Sequence, residues 1–105
     1  MAKYVLAYTG GGDMAGAPEE QKKLMEAWMT WLGSLGASAV DAGNPFGAAC
    51  TIASSGSVSE GGASALTGYS VIEAEGMTDA AAKAKGCPVL ANGGAIEVYE
   101  ALPIG

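Results

Sequence analysis

The spacing of hydrophobic and polar positions predicts one long helix near the start of the chain, from Pro18 to Leu35. Its apolar residues recur three or four positions apart, which places them on one side of a helix. Pro18 suits the first turn, where its missing N–H costs nothing, and Gly36 suits the position after the last turn. Since each large apolar side chain contributes about 1.5–3 kcal/mol when buried, we expect this helix to anchor the core. The apolar stripe consists of Leu24, Trp28, Trp31, Leu32 and Leu35.

Shorter apolar or alternating stretches predict β-strands on both sides of that helix. They are rich in β-branched and aromatic residues, and glycine, proline or asparagine bounds them. Two further stretches that flank Ser55-Gly56 have the pattern of a small hairpin. The predicted strands are Lys3–Thr9, Ala37–Asp41, Gly68–Ala74 and Ala95–Glu100, and the predicted hairpin comprises Cys50–Ala53 and Ser57–Ser59.

A second, alanine-rich helix is predicted from Asp79 to Lys85, with Thr78 as its N-cap and Gly86 as its stop. The order of elements is then strand, helix, strand, hairpin, strand, helix, strand, which indicates a single α+β domain over residues 1–105. Because crossover connections are right-handed, the simplest arrangement is the split β-α-β of the ferredoxin-like fold. We therefore expect an antiparallel sheet with two helices on one face and an extra hairpin after the second strand.

Alternation divides the strand residues into two sets, of which only one can lie under the helices. We assign a small, wholly apolar set to the helix side and a set with tyrosines and two glutamates to the uncovered side. Because large exposed apolar patches mark interfaces, we expect two sheets to stack face to face about a two-fold axis. The alternatives are an inverted assignment or a hairpin that covers this face. The first set holds Val5, Ala7, Ile72, Ile96 and Val98; the second holds Tyr4, Leu6, Tyr8, Tyr69, Val71, Glu73, Glu97 and Tyr99.

Composition and charge restrict the chemistry. The chain has 105 residues, 50% of them hydrophobic, and a formal net charge of −6. Its 5 positive charges are all lysines, and 11 carboxylates oppose them. This excess of negative charge repels phosphate backbones, so we expect no nucleic-acid partner. Histidine is absent from the sequence, which excludes Ser-His-Asp, Cys-His and imidazole–metal designs in this chain.

The remaining sequence signals point to a reduced, aqueous compartment. The two cysteines, Cys50 and Cys87, are too far apart for a C-x-x-C pair, so we interpret both as buried or inert thiols. No stretch approaches the ~20 apolar residues of a membrane span, and the N-terminal residues lack the apolar run of a signal peptide. We expect a cytoplasmic protein without a metal, another cofactor or a membrane contact.

The uncovered sheet face carries the candidate site residues. If two sheets stack, the hydroxyls of Tyr8, Tyr69 and Tyr99 line a cleft that can hold a small ligand, and Glu73 and Glu97 lie in it or at its rim. Burial raises the pKa of a carboxylate and allows it to carry a proton, so these glutamates are the candidate catalytic residues. The alternative is that each glutamate is solvated at a sheet edge.

The loop after the second predicted strand supplies two more candidates. Asp41 and Asn44 place a carboxylate and an amide at a strand end, where both could contact a ligand at the mouth of the cleft. The alternative is a structural loop in which Asn44-Pro45 fixes a turn and Phe46 packs onto the core.

Three segments resemble the YCII-related family, which includes the DGPF-domain proteins. They are Lys3–Leu6, Leu66–Glu75, and Cys87-Pro88 followed by Ala95–Tyr99. The resemblance spans nearly the whole chain and implies a ferredoxin-like dimeric α/β barrel of largely undefined activity. Some members carry a His-Asp pair proposed to be catalytic. This chain has no histidine, and Glu60-Gly61-Gly62-Ala63 stands where the Asp-Gly-Pro-Phe tract is expected, so the resemblance implies the fold and the dimer but not that pair.

Three functions stay open on the sequence. The first is a small dimeric protein that binds a small, mostly apolar molecule between its sheets. The second is a lyase or isomerase in which Glu73 or Glu97 moves a proton while a tyrosine hydroxyl or Asn44 holds an oxygen. The third is a structural or protein-interaction module, since a tyrosine-rich face also suits a protein partner.

Overall fold

The computed structural model describes residues 1–10 and 18–104, and its elements follow the predicted order, with one added helix. The long first helix is confirmed from its first residue to its last, and the predicted hairpin is confirmed as a pair of antiparallel strands. The strands are β1 (Ala2–Thr9), β2 (Ala39–Asp41), β3 (Cys50–Ile52), β4 (Val58–Glu60), β5 (Leu66–Ala74) and β6 (Ala95–Ala101). The helices are α1 (Pro18–Leu35), α2 (Met77–Ala84) and α3 (Pro88–Ala91).

Four strands form one antiparallel sheet in the order β2-β5-β1-β6, and β3 pairs only with β4 in a separate two-stranded sheet. The first strand thus lies between the third and fourth strands of the main sheet, as in a split β-α-β arrangement. The predicted α+β class with an antiparallel sheet is confirmed. The topology is compatible with the ferredoxin-like fold.

The core lies between the main sheet and a layer built from all three helices. Trp31 of α1 is buried there, and its indole N–H donates a 3.0 Å hydrogen bond to the carbonyl of Lys83 in α2. The ammonium group of Lys83 in turn donates to the carbonyl of Glu73 in β5 at 3.2 Å. These contacts join both helices to the sheet. The other core residues are Tyr4, Leu6, Tyr8, Ile72, Ala74, Ala80, Ala84, Cys87 and Val89.

Alternation along β5 and β6 follows the prediction. Ile72 of β5 and Ile96 and Val98 of β6 belong to the core or pack against it. Tyr69 and Tyr99 occupy positions of opposite parity on the same strands and therefore point to the other side of the sheet.

Along β1 the predicted assignment is wrong, because its two faces are exchanged. Tyr4, Leu6 and Tyr8 lie beneath the helices, and Val5 and Ala7 face the uncovered side. The centre of β1 is apolar on both faces, but its one charged residue, Lys3, shares the face of Val5 and Ala7. Burial agrees with this signal, since enclosing the larger side chains removes more apolar surface from water.

The second helix begins earlier than predicted. It starts at Met77 with Gly76 as its N-cap, so the prediction of Thr78 as N-cap is wrong. Within the described residues, no side-chain hydrogen bond caps this helix, but Asp79 Oδ2 accepts a 3.0 Å hydrogen bond from the N–H of Glu75, just before the N-cap. An acidic side chain in the first turn of a helix is also favoured by the helix dipole.

The short helix α3 follows Cys87 and is absent from the sequence prediction, because its four residues are too few to show a helical period. Pro88 occupies its first position, and Val89 is buried in the core. Cys87 is buried, as predicted, whereas Cys50 on β3 is exposed, so the expectation of burial is wrong for Cys50. None of the helices within the described residues is both long and apolar enough to cross a membrane.

Candidate binding site on the uncovered sheet face

The side of the main sheet that faces away from the helices, which we call the open face, has an apolar centre. Its middle residue, Ala7, is only 7% exposed although it points away from the helix layer. The larger side chains on the neighbouring strands therefore surround and shield it, and we call this apolar centre the apolar depression. Two cross-strand rows build this depression: Tyr69, Ala7 and Glu97 in one row, and Val71, Val5 and Tyr99 in the next.

Tyr69 is held in place on one wall of the depression by three contacts. Its hydroxyl donates a 3.2 Å hydrogen bond to Asp41 Oδ2, and its backbone N–H donates to the carbonyl of Asn44 at 3.3 Å. The ring of Phe46 stacks on it, with ring centres 5.7 Å apart and ring planes inclined by 20°. The predicted site residues Asp41, Asn44 and Tyr69 therefore lie together at this end of the open face.

The loop that carries these residues is pressed against β5. Gly43 donates its N–H to Asp41 Oδ1 at 2.9 Å, and a Cβ atom on Gly43 would lie 1.6 Å from the carbonyl oxygen of Tyr69. Phe46 donates its N–H to the carbonyl of Thr67 at 2.9 Å. Because one carboxylate oxygen of Asp41 fixes the loop and the other orients Tyr69, Asp41 positions the aromatic pair. Phe46 is 45% exposed, so the alternative that it packs onto the core is wrong.

The opposite wall of the depression is formed by β6. There the hydroxyl of Tyr99 donates a hydrogen bond to the carboxylate of Glu97, two residues earlier on the same face. This hydrogen bond, together with the negative charge of Glu97, raises the pKa of Tyr99 above its usual 10.0. A phenol and a carboxylate thus meet within hydrogen-bond reach. Tyr99 is 55% exposed, so a single copy of the chain leaves this pair in contact with water.

Tyr8 lies on the other side of the sheet, and the prediction that it shares a face with Tyr69 and Tyr99 is wrong. It is buried, and its hydroxyl donates a 2.7 Å hydrogen bond to Ser70 Oγ, which donates to the carbonyl of Ala42 at 2.7 Å. Burial raises the pKa of Tyr8 well above its usual range, and the hydrogen bond to Ser70 only partly offsets this effect. The chain of hydrogen bonds joins β1, β5 and the loop after β2, which is a structural role.

The buried thiol of Cys87 is a poor nucleophile. Burial raises its pKa above the usual 9.0, although hydrogen bonds with Val89 and Tyr8 act in the opposite direction. A thiol reacts as its thiolate, so this change lowers reactivity.

The two candidate catalytic glutamates do not converge. Glu73 lies opposite Lys3 at one end of the open face, whereas Glu97 lies opposite Ala7. These two rows are four strand positions apart, or about 13 Å. Glu97 therefore lies within one of the two rows of the depression, whereas Glu73 lies in the row beside them. Within residues 1–10 and 18–104, no three carboxylate or thiol side chains come together in a way that could hold a metal ion.

Sequence reasoning missed two residues of this site, namely Val5 and Ala7. For Phe46 it leaves open a place on the core or a ligand role of the loop, because nothing in the Asn-Pro turn before it specifies the direction of its ring. Val5 and Ala7 were assigned to the helix side. The signal that could have corrected them is strand register, since Val5 pairs with Val71 and with Tyr99, which both belong to the open face.

Comparison of the chain with protein-family models gave no match, and comparison with curated proteins gave no significant match. The fold and the site therefore define its class by themselves. It is a small α+β protein whose antiparallel sheet has one face under helices and the other face lined with apolar and aromatic side chains. The resemblance to the YCII-related family stays a prediction.

Proposed function

We propose that the chain is a homodimeric binding protein of the YCII-related type, whose open faces stack as a dimeric α/β barrel and hold a small, mostly apolar molecule between them. The observation that carries this proposal is the apolar depression on the open face. In a single copy the rim of this apolar centre is in contact with water, since Tyr99 is 55% exposed. Apolar patches of this kind mark interfaces and ligand sites.

The residues around the depression restrict the ligand. Val5, Ala7 and Val71 provide an apolar floor, while the stacked rings of Phe46 and Tyr69 offer an aromatic wall. Ligand sites of this type add a few polar groups that fix orientation. The amide of Asn44 and the Tyr99–Glu97 pair are the candidates for that role.

Charge at the rim adds a further restriction. Three carboxylates, on Asp41, Glu73 and Glu97, lie on or beside the open face, against the single ammonium group of Lys3. Like charges at short range are unfavourable, most of all in a cleft that excludes water. The preferred ligand is therefore neutral or cationic.

A second candidate function is proton transfer, as in a lyase or isomerase. The hydrogen bond from Tyr99 to Glu97 favours it, because a carboxylate and a phenol at one site can serve as a base and as a hydrogen-bond donor to an oxygen. The Glu97→Gln variant separates the two functions: a binding protein keeps its ligand affinity, whereas an enzyme loses turnover by about 100-fold or more.

The mass of the protein in solution tests the proposal, together with binding of the neutral fluorescent probe N-phenyl-1-naphthylamine. We expect the wild type to have twice the mass of the 10.3 kDa chain at about 50 μM protein, a concentration well above the dissociation constant of a specific dimer. Val71→Lys places a charge on the open face and should give a monomer with at least about tenfold weaker probe binding.

Met29→Lys is the matched control, because it introduces the same charge at an exposed apolar position on α1. It should stay dimeric and bind the probe normally. A wild-type protein that is monomeric at about 50 μM would contradict the shared cleft. A dimer that fails to bind the probe would favour the protein-interaction module instead.

A further inference from the structure

The segment from residue 47 to residue 65, which we call the arm, extends from the main body of the protein. It contains β3 and β4, which pack mainly against each other and form their own sheet. The Cα radius of gyration of the protein is 15.0 Å, whereas a compact chain of this length has about 13 Å. The molecule is therefore more extended than a globular domain of its size, as expected when a hairpin packs mainly against itself.

Internal hydrogen bonds specify the shape of the arm. The hydroxyl of Thr51 donates to the carbonyl of Gly61 at 2.7 Å and accepts from the N–H of Ala63 at 3.1 Å. At the turn, Ala53 donates its N–H to the carbonyl of Ser57 at 2.8 Å. These bonds order the hairpin but provide no apolar core.

One face of the arm carries two large apolar side chains with no cover. Ile52 on β3 and Val58 on β4 lie directly opposite each other, and they are 68% and 66% exposed. An isolated two-stranded hairpin is only marginally stable in water, and it gains stability when one face packs on another surface. The Ile52–Val58 pair therefore indicates a surface that the single chain does not contain.

The distribution of charge identifies a second copy of the chain as the occupant. The net charge is −6, so two copies repel each other over most of their surfaces. Residues 42–72 include a single charged side chain, Glu60. This stretch contains the arm and most of β5, and it is where two acidic copies can approach without charge repulsion.

The arm is also continuous with the open face. At its base lies an uncharged groove of about 530 Å³ that reaches from Phe46 to Leu66. Phe46 belongs to this groove and also stacks on Tyr69 of the open face. The arm, the groove and the apolar depression therefore form one unbroken surface.

The size of the open face shows why the arm is needed in a dimer. Three long strands spaced about 4.8 Å apart and about 27 Å long offer about 400 Å² per copy. A stable interface buries about 800 Å² per partner. In a symmetric dimer each copy both extends an arm and receives one, so the arm contributes twice to the area that each copy buries.

We propose that the arm of each copy packs along the edge of the second copy's open face, so that Ile52 and Val58 cover the mouth of the cleft between the stacked sheets and complete its ligand site. This inference rests on the proposed function, and it adds that neither site is closed without the other copy. The ligand is then held by the open faces of the two sheets and by two arms. Its entry and release require an arm to lift.

The reaction of Cys50 with an uncharged maleimide tests the arm directly. Cys50 is exposed and shares the face of Ile52, two residues away, whereas Cys87 is buried. We expect the labelling rate of Cys50 to fall about fourfold between protein concentrations about tenfold below and tenfold above the dimer dissociation constant, because the monomer fraction falls by that factor. The control is Met29→Cys in a Cys50→Ser background, which should react at one rate at both concentrations.

A pair of double variants provides the second measurement. Ile52→Ser with Val58→Ser should weaken both dimerisation and N-phenyl-1-naphthylamine binding by about tenfold or more. Met25→Ser with Met29→Ser removes two exposed apolar side chains from α1 and should change neither. Circular dichroism establishes that each variant folds. The Cys50 labelling experiment needs no substitution in the arm, so it does not depend on the folding of any arm variant.

The outcomes separate this inference from the proposed function. If the mass doubles while the Cys50 rate stays constant, the sheets stack without the arms and the inference is wrong. If the mass stays that of one chain at every concentration, the dimer itself is wrong. Dimerisation and probe binding that are unaffected by the arm substitutions would also overturn the inference.

Discussion

Tyr8 shows how a single hydroxyl can join three parts of a small protein. Its ring is buried between the sheet and α1, where it meets the ring of Trp28 edge to face with 5.4 Å between ring centres. Its hydroxyl reaches Ser70, which passes the hydrogen bond on to Ala42. A polar group in this position stabilises the fold only while every member of the chain has a partner.

The pH dependence of stability should reveal this residue. Because burial raises the pKa of Tyr8 above the usual 10.0, the folded protein keeps the proton that the unfolded chain releases. The contribution of protonated Tyr8 to the free energy of unfolding is therefore complete below pH 10. It is lost progressively as the pH rises towards the higher pKa of the folded state. Tyr8→Phe should lower the free energy of unfolding by about 1 kcal/mol at neutral pH, through loss of one hydrogen bond.

Urea denaturation of both proteins at neutral and alkaline pH measures this effect. The difference in unfolding free energy between wild type and Tyr8→Phe should shrink as the pH rises above about 10. Groups that the substitution leaves unchanged cancel in the comparison. A difference that is independent of pH would show that the Tyr8 hydroxyl ionises alike in the folded and unfolded states.

At the scale of residues, the sequence predicted which residues belong to the site better than it predicted the face of the sheet on which each one lies. Asp41, Asn44 and Tyr69 do lie together, because alternation on β5 and the end of β2 were assigned correctly. Tyr8 was misplaced because the central residues of β1 are apolar on both faces and the single charge of the strand, on Lys3, was not used to orient it. Which face is buried also depends on the partner strands rather than on β1 alone.

Among the elements, the loop between β2 and β3 has the tightest attachment to the sheet. Gly43 has a positive φ of +81°, and its Cα faces the carbonyl of Tyr69 at a distance that leaves no room for a side chain. The same loop holds the carboxylate of Asp41 against Tyr69. The geometry of the binding wall thus depends on a residue that itself contacts no ligand.

Gly43→Ala should lower the free energy of unfolding by about 3 kcal/mol or more, since the loop must move away from β5. Gly36→Ala is the control, because Gly36 also has a positive φ but has open space around it. Gly36→Ala should lower the free energy of unfolding by only about 1 kcal/mol. Urea denaturation of the two variants checks this, and equal losses would mean that backbone strain alone accounts for both.

The elements themselves were predictable to different degrees. α1 was predicted from end to end because it has several turns of apolar period, a proline at its start and a glycine after its end. β2 was predicted two residues too long, because Gly36 starts a short 3₁₀ turn that continues to Ser38. α3 has no period to detect. The β3–β4 hairpin was predictable from its turn, but its separation from the main sheet depends on contacts that no local pattern encodes.

At the scale of the whole molecule, the net charge of −6 opposes the proposed dimer. Salt should therefore strengthen association. Raising the ionic strength from about 0.01 to about 0.15 M shortens the screening length from about 30 to about 8 Å, so the dimer dissociation constant should fall several-fold. Sedimentation equilibrium at the two salt concentrations measures it. Weaker association in salt would show that ion pairs between subunits hold the dimer together.

In the three longest strands, the register pairs even-numbered residues with even-numbered ones and odd with odd. Even-numbered residues, such as Leu6, Ile72 and Val98, build the core, while odd-numbered neighbours, such as Tyr69 and Tyr99, form the open face. Alternate residues of the same strands thus build the core and the surface that we propose as the binding site. A mutagenesis library restricted to exposed odd positions would vary that proposed site while the core residues stay unchanged.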